Sequence, residues 1–550
     1  MTATLYSYRE SIVFFILGLF VPLLILLLTV PCRAQNPAKA EVNRLNKKYE
    51  ELEKQGRYKE AIKYAEKLIP AGEKAYGKEH PFMALFQNNL AQLYSKIGNY
   101  DKAKILYQKA LIIGEKGFGQ NHPVVGLILN NLAELYSSES KFSAAEPLYK
   151  RSYAIFKQHF GSDHIQVAKS LHNMASFYKK LGQYTKAEPM YKKSLAIMEK
   201  NLGPEHSNVA TSLNNLANLY YLIGDYKKAE PLFKRSLEIR QKVLGPKHPD
   251  LANSLIKMAE FYHSLGAYAK AQDCSKRSLK ILQNAFGPEH PKVATSLAQL
   301  ASLYYALEDY TEAESLFMRS LEIRLRALGP EHSDVAKNYN SLATIYFRLG
   351  DLEKAKALFT RALAINQNVF GPNHSSVASI LNNLALLYHS LGDYAKAASL
   401  SMQSLAIKEN VLGSEHPDVA INLDYLADLY RLREDYAQAL RLLQRSLNIR
   451  KKAFGPKHPK FAESQIHLAG YYFTVGDFTK AESLYKSSLE IWEKVYGAEH
   501  LHVARGLNNL ALLYQTIGDY VQAEKLHQRS LSISQKRLGR ESQVVACLSQ

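Results

Sequence analysis

Apolar residues recur along this chain with two nested periods. In the stretch Gly203 to Leu244, residues Val209, Ala210, Leu213, Leu216, Ala217 and Tyr220 follow one another at spacings of one, three, three, one and three. Such spacing predicts a helix with a single apolar stripe, here helix A. Gly224 ends it, Asp225 is placed to cap the next helix, and Tyr226, Ala229, Leu232, Phe233, Ser236, Leu237 and Ile239 mark the stripe of helix B. Gly245 supplies a left-handed residue after helix B, and Pro246 blocks its continuation. The whole pattern then repeats every 42 residues without insertion or deletion. It carries a histidine at one fixed place: His80, His122, His164, His206, His248, His290, His332, His374, His416, His458 and His500. One hairpin cannot bury its apolar face alone, so a strict period of this kind predicts stacked units with a continuous core.

The frame fits residues 38–541 twelve times. The first copy lacks the histidine and has a heavily charged first helix (EVNRLNKKYEELEKQG), as a solvating end unit should. The expected organisation is an export signal or membrane anchor over 1–34, a capping repeat over 35–79, eleven repeats over 80–541 and a truncated stub over 542–550. Twelve glycines precede the histidine column and nine stand at the mid-repeat turn, so loops are short and fixed in place. Tyr fills the Tyr220 column and Ala the Ala229 column in all eleven histidine-bearing copies, which predicts a close helix–helix approach there. Pro147, Pro189 and Pro231 lie about one turn into helix B, where a bend without a break is expected. Cys274 occupies a core column and is expected to be a buried thiol; with Cys32 and Cys547 far away, no disulfide framework is implied.

The string Leu213-x-x-Leu216-Ala217-x-x-Tyr220, followed by Gly224, Tyr226, Ala229 and Phe233, resembles the tetratricopeptide repeat. The 42-residue pitch, the Leu-Asn-Asn-Leu-Ala string at Leu129, Leu213, Leu381 and Leu507, and the Leu-Gly-Pro-x-His linker are similar to the kinesin light chain subtype. The resemblance covers residues 38–541. It implies an all-α fold: a right-handed superhelical solenoid of about twelve helix-turn-helix repeats, whose helix A faces line a concave groove for peptide segments of partners. The heptad coiled coil of kinesin light chains is missing before the repeats, so motor transport is not implied; the chain looks more like bacterial relatives with an N-terminal leader.

That leader is the apolar, uncharged run over residues 11–30, SIVFFILGLFVPLLILLLTV. Cys32-x-Ala34 suits signal peptidase, which predicts export and cleavage near Ala34. Against this, the run is long, Glu10 precedes it, and Lys39, Arg44, Lys47 and Lys48 put positive charge on the side that would cross. An uncleaved anchor with membrane contact through residues 11–30 is the alternative. The chain carries a formal charge of +19, which favours an acidic partner but also suits a merely soluble surface. Much of the positive charge falls in helix B strings such as Lys234-Arg235, Arg240-Gln241-Lys242 and Arg441 to Arg450, expected on a solvated convex face. Trp492 stands in the column of Arg240, Arg324 and Arg450 and is therefore expected as a surface anchor.

Candidate chemistry is sparse. Successive histidines are separated by two packed helices at roughly 8–10 Å per contact, too far to share a zinc ion bound at about 2 Å. They are expected to brace the loop before helix A. No phosphate loop, nucleophile elbow or metal-spaced histidine pair is present, so no enzyme activity, catalytic residue, cofactor or metal is expected. Nucleic acid is not expected either, because no reading motif appears and the aromatics are mainly core columns.

The non-core face of helix A holds the candidate binding residues. Counting from the histidine, positions +8 and +9 carry Asn88 and Asn89, Asn130 and Asn131, Asn173, Asn214 and Asn215, Asn340, Asn382 and Asn383, and Asn508 and Asn509, with Asn218 at +12. Asparagine both donates and accepts, which suits gripping the backbone of an extended peptide; bonding between adjacent A helices is the competing role, and both stay open. The resemblance places groove residues that bond a ligand main chain at these positions. Tyr221, Tyr305, Phe347 and Phe473 at +15 and Lys169, Lys337 and Arg505 at +5 share the face. The pairs lapse at Ile256 with Lys257, Ala298 with Gln299 and Asp424 with Tyr425, so residues 80–221 form the favoured binding segment. The function expected is a noncatalytic scaffold for a protein or peptide segment; the alternative is a membrane-tethered structural or assembly factor acting through the basic convex face. Self-association is not readable here. Replacing Ala229 by Leu should overpack the helix interface and cost roughly 1–3 kcal/mol, measured as a lowered melting temperature.

Overall fold

The structure, a computed structural model, describes residues 37–538. The expected leader with Cys32, the cleavage site at Ala34, and the stub over 542–550 with Cys547 lie outside them. Among the described residues there are twenty-four helices and no strand, from Pro37–Lys54 to Tyr520–Leu538. They alternate as the periodicity predicts: helix A of Gly203–Leu244 runs over Ser207–Leu222 and helix B over Tyr226–Leu244. The chain divides into two compact units, residues 1–174 and 175–550. None of the helices of the described residues is long and apolar enough to cross a membrane.

The linker is built around the histidine. In all eleven copies the backbone N–H two residues on donates to the histidine Nδ1 at 3.0–3.2 Å. The ring thereby caps one of the orphan donors at the start of helix A. In the seven copies whose helix B ends in an aromatic the same ring packs on it, as in Phe118–His122 (4.6 Å), Phe160–His164 (4.3 Å) and Phe370–His374 (4.0 Å); Leu202, Leu244, Leu328 and Leu412 stand there in the other four. One side chain thus joins the end of one repeat to the start of the next. The mid-repeat turn is closed by Gly224 N–H donating to Tyr221 O (3.1 Å) and Asp225 N–H to Tyr220 O (2.8 Å). That geometry needs positive φ even where glycine is absent: Ser140, Glu308 and Glu434 take φ of 59°, 62° and 61° there. Helix B continues unbroken through Pro147, Pro189 and Pro231.

Packing follows the columns. Ala229 and its equivalents from Ala103 to Ala481 are fully buried, and Ala523 nearly so. The Tyr220 hydroxyl donates across to Glu188 of the preceding helix B (2.9 Å), and Tyr514 does so to Glu482 (2.6 Å). Ser236 is also fully buried; its hydroxyl donates to Ala210 O at 2.7 Å, so a small polar residue lets helix B approach helix A with its hydroxyl satisfied. Cys274 is a buried free thiol among the described residues, as expected.

One column differs from expectation. Trp492 is not a surface anchor: it is 0% exposed, with Nε1–H donating to Pro459 O at 3.3 Å. Nor do Arg240 and Arg450 belong to a solvated face, since both are buried between helix B and the next helix A. The Arg240 guanidinium donates to Asp250 O (3.0 Å), Ser254 Oγ (2.6 Å) and Thr211 Oγ1 (2.7 Å). A long cationic side chain in a helical frame reads as solvent-facing until the acceptors that receive it are known.

Within the second unit, successive A helices such as Ser207–Leu222 and Pro249–Ser264 touch one another, whereas successive B helices are held further apart. Helix A therefore lies on the inner side of the curve. The curve also brings distant repeats together. His416 Nε2 lies 3.3 Å from Lys180 O and His458 Nε2 lies 3.2 Å from Leu222 O, 236 residues apart in both cases. Because Nδ1 accepts the capping bond, Nε2 carries the proton and donates. Tyr184 stacks on Phe454 (5.6 Å) and Tyr226 on Tyr496 (6.0 Å), and Arg537 donates to Gly266 O (3.1 Å). These contacts form a seam between mid-repeat turns and linkers more than five repeats away.

The seam gives Gly182, Gly224 and Gly266 a second constraint beyond positive φ: a Cβ on Gly224 (φ +75°) would stand 2.7 Å from the His458 ring, whereas one on Gly392 (φ +79°) would meet nothing within 4 Å. Gly392→Ala should therefore cost only the left-handed strain, about 1–2 kcal/mol. Gly224→Ala should cost more and should deprotect the amides around His458 in hydrogen exchange. Equal losses and unchanged exchange would mean the seam does not hold in solution.

Candidate functional site

In the first unit the asparagines face one another. Asn131 Nδ2 donates to Asn88 Oδ1 (2.9 Å), Asn173 Nδ2 to Asn130 Oδ1 (3.0 Å), and Asn88 Nδ2 to Asn89 Oδ1 (3.3 Å). The +9 amide of one repeat thus bonds the +8 amide of the repeat before, a ladder along adjacent A helices. Asn88 and Asn130 are buried by it, and Asn89, Asn131 and Asn173 are half-buried. Lys169 is half-buried beside them, and burial lowers its ammonium below the ordinary lysine range.

In the second unit the ladder is interrupted. Asn383 Nδ2 donates to Asn340 Oδ1 (2.8 Å), but position +9 after Asn214 is Lys257 and after Asn382 is Tyr425. Lys257 turns to Glu260 (2.8 Å), and the Tyr425 hydroxyl donates to Ala385 O (2.9 Å). The buried Oδ1 atoms of Asn214 and Asn382 are left without a hydrogen-bond partner in the protein. Asn215 donates to Thr211 O within its own helix (3.1 Å), and Asn218, Asn508 and Asn509 are half-buried.

The aromatic candidates are not free platforms. Tyr221 is half-buried against Phe261 (6.3 Å) and Tyr226 (6.0 Å), and Phe347 packs on the core formed around Phe317 and Ile345. Tyr305 accepts a bond from Arg348 Nε (3.0 Å). Together with Ser302, Phe317, Asn340, Ser341 and Thr344 it lines a hollow of about 160 Å³ between two A helices. Lys337 is exposed and paired with Asp334 (2.7 Å), and Arg505 lies over the Trp492 ring at 5.1 Å.

Sequence reasoning missed Lys179 and Glu260 on this face and took Lys257 and Gln299 only as lapses of the asparagine pairs. Lys179, Lys257, Glu260 and Gln299 occupy the same columns as the candidates, which was the available signal. Gln299 Nε2 donates to Glu260 Oε1 (3.0 Å), and burial, reinforced by the Lys257 charge, brings Lys179 down to about 8. Further on, Asp424 pairs with Arg450 at 2.7 Å with both side chains only 4% exposed, and His467 Nδ1 lies 3.4 Å from Asp428. Burial raises the Asp424 carboxyl despite the arginine. These groups are fixed by one another, and no group of three or more His, Cys, Asp or Glu among the described residues is placed to hold a metal ion.

Fold and site define a helical-repeat solenoid whose A helices present a polar inner face. The sequence profile of the tetratricopeptide repeat family matches residues 52–115, 82–158, 166–242, 224–273, 250–326, 295–368, 334–410, 376–452 and 460–536. The chain belongs to this family, whose fold is typically a non-enzymatic interaction scaffold. Among solved structures it is similar to the nearly identical TPR-like repeats of kinesin light chain type from Podosopora anserina, at 28% identity over 38% of this chain and 98% of that one, with a TM-score of 0.32. BtubC (BKLC) from P. vanneervenii matches at 23% identity over 42% and 91%, TM-score 0.33. A Rap protein complexed with Competence and Sporulation Factor matches at 16% identity over 67% and 98%, TM-score 0.47. A search of the curated proteins gives no significant match.

The capping histidines make stability depend on pH. Burial lowers both His458 and His500 to about 4, from 6.5. A base with a depressed folded pKa gives stability that is complete above the unfolded value and is lost as pH falls through 6.5 towards 4, at most about 3 kcal/mol for each histidine. Melting temperature should therefore be flat above pH 6.5 and fall below it. His458→Asn keeps a capping acceptor without titrating, so it should flatten part of that slope.

Proposed function

We propose that this chain is a noncatalytic scaffold of the kinesin light chain subtype that receives a segment of a partner protein along the helix A face of its second unit, in place of the 80–221 segment that the asparagine pairs of the sequence favour. The observation that carries this reading is the interrupted asparagine ladder beside the hollow at Tyr305. Where the ladder is complete, the amides satisfy one another and have less to offer a ligand. Where it lapses, Asn214 and Asn382 keep acceptor oxygens that no protein donor reaches; they lie beneath the surface, and a turn of the amide would present them to the backbone N–H groups of an extended peptide. The hollow bounded by Ser302, Tyr305, Phe317, Asn340, Ser341 and Thr344 has room for one side chain, with an aromatic wall and several hydroxyls to orient it. The subtype rests on the 42-residue pitch and the capping histidine of the linker.

The basic helix B face offers less. Many of its lysines are already paired one helical turn away, as in Lys150–Glu146, Lys192–Glu188, Lys234–Glu230 and Lys486–Glu482. Residues 11–30 would deliver the array across a membrane, with cleavage near Ala34, and the mass of the mature N-terminus tests that step. For the groove itself, a photoreactive benzoylphenylalanine should be placed at Tyr305 and, separately, at Lys234. A partner crosslinked from position 305 and not from 234, with capture reduced tenfold or more by Tyr305→Ala, is the expected result. Capture from 234 alone would move function to the helix B face.

A further inference from the structure

A pair of columns in the linker region forms a charge lock in at least five repeats. The residue before the histidine faces a helix B residue near the end of the same repeat. The pair is Glu79–Lys116 (2.7 Å), Glu205–Lys242 (2.6 Å), Glu289–Arg326 (3.0 Å), Glu415–Lys452 (2.7 Å) and Glu499–Lys536 (2.7 Å). The remaining repeats combine an acid with a base or include at least one neutral residue, such as Lys247 with Asn284 or Asn373 with Asn410. One repeat breaks the rule: here the columns hold Lys457 and Lys494, two like charges. Like-charge juxtaposition is destabilising, and nothing in the packing of this repeat calls for it.

These two lysines line a cleft of about 610 Å³ in the seam of the second unit. A third cation, Lys227, enters it from the mid-repeat turn on the other side of the seam. None of the three has an ion-pair partner among the described residues. The single acid of the lining, Asp225, is committed: it accepts from Lys228 N–H (3.2 Å) and pairs with the Lys228 ammonium (2.7 Å). His458, whose Nε2–H donates to Leu222 O, adds a neutral wall. The seam contains its own controls. One repeat earlier the equivalent place has the Glu415–Lys452 pair and Thr185 where Lys227 stands; one repeat later it has Glu499–Lys536 and Ala269. The positive cleft is therefore a property of these three residues and not of the seam geometry.

We propose that this cleft binds a phosphate-bearing small molecule, its oxyanion held by Lys227, Lys457 and Lys494 and its body lying against Tyr226, Phe454 and Val495. The volume is that of a small-molecule pocket. Three compact ammonium groups match a phosphate carrying about two charges better than a single carboxylate. Because the lining comes from both sides of the seam, the bound anion bridges repeats that are remote in the chain. It should stabilise the folded unit by mass action. The proposal is independent of the helix A groove.

The test is to titrate the full-length protein with sodium pyrophosphate, with adenosine monophosphate and with citrate at constant ionic strength, following melting temperature and binding heat. A rise in melting temperature and measurable binding with either phosphate probe, and at least tenfold weaker binding of citrate, is the expected outcome. Preference for pyrophosphate identifies an inorganic phosphate site, and preference for adenosine monophosphate a phosphate ester whose aromatic body uses Tyr226 and Phe454. Lys457→Glu rebuilds the pair found in neighbouring repeats, so it should raise the melting temperature without ligand and lower phosphate affinity at least tenfold. Lys494→Gln should lower that affinity similarly. Phosphate effects no larger than those of matched sodium chloride, citrate binding as tightly, or undiminished phosphate binding by both variants would each overturn the proposal.

Discussion

The architecture depends on the histidine that closes each linker. Its Nδ1 caps the following helix A, and in the seven copies whose helix B ends in an aromatic its ring face also rests on that residue, so a single rigid group joins one repeat to the next. A flexible cap such as serine would satisfy the same backbone donor but would not carry the aromatic contact. Repeating this joint eleven times without insertion keeps successive hairpins in the same relation. Small errors would accumulate along a one-dimensional array, and only a constant joint lets residues 236 positions apart meet in the second unit.

Between these joints the array is held by apolar columns laced with polar groups that are satisfied. Ser236 bonds a carbonyl across its own hairpin, Tyr220 reaches an acid on the preceding helix B, and Arg240 crosses to the next helix A. Each bond joins specific neighbouring helices, so it favours one register of stacking over a slipped one. Desolvation of a guanidinium is costly, and the several acceptors around Arg240 and Arg324 offset it. Trp492 fills the same slot without charge, with its indole N–H satisfied by a carbonyl. The slot is buried whatever fills it: Phe156, Met198 and Leu282 occupy it in other repeats as plain apolar residues, and a polar occupant is tolerated where its donors find acceptors.

Function is expected where regularity fails. The asparagine ladder is regular in the first unit and broken in the second, and among the charge-lock columns only Lys457 and Lys494 set two like charges together. A repeat protein exposes such exceptions clearly, because every other copy shows what the position does when it serves only the fold. The two irregularities differ in chemistry, one offering amide oxygens and hydroxyls on the inner face, the other ammonium groups in the seam.

The sequence by itself determined the helices, their boundaries, the turn glycines, the buried Ala column and the Tyr column that packs beside it, because these follow from local periodicity and from neighbours at fixed short spacing. It also placed the asparagines of the helix A face, but left open whether they bind one another or a ligand, since both roles need the same side chain on the same face. Only the tertiary structure decided which amides are paired, that the Arg240 column with Trp492 is buried, and that Lys227 stands with Lys457 and Lys494. The physical reason is distance along the chain: those facts rest on contacts between different repeats, some of them more than five repeats apart, and they depend on the curvature that accumulates over many joints. No single repeat encodes that curvature in a form its own residues display.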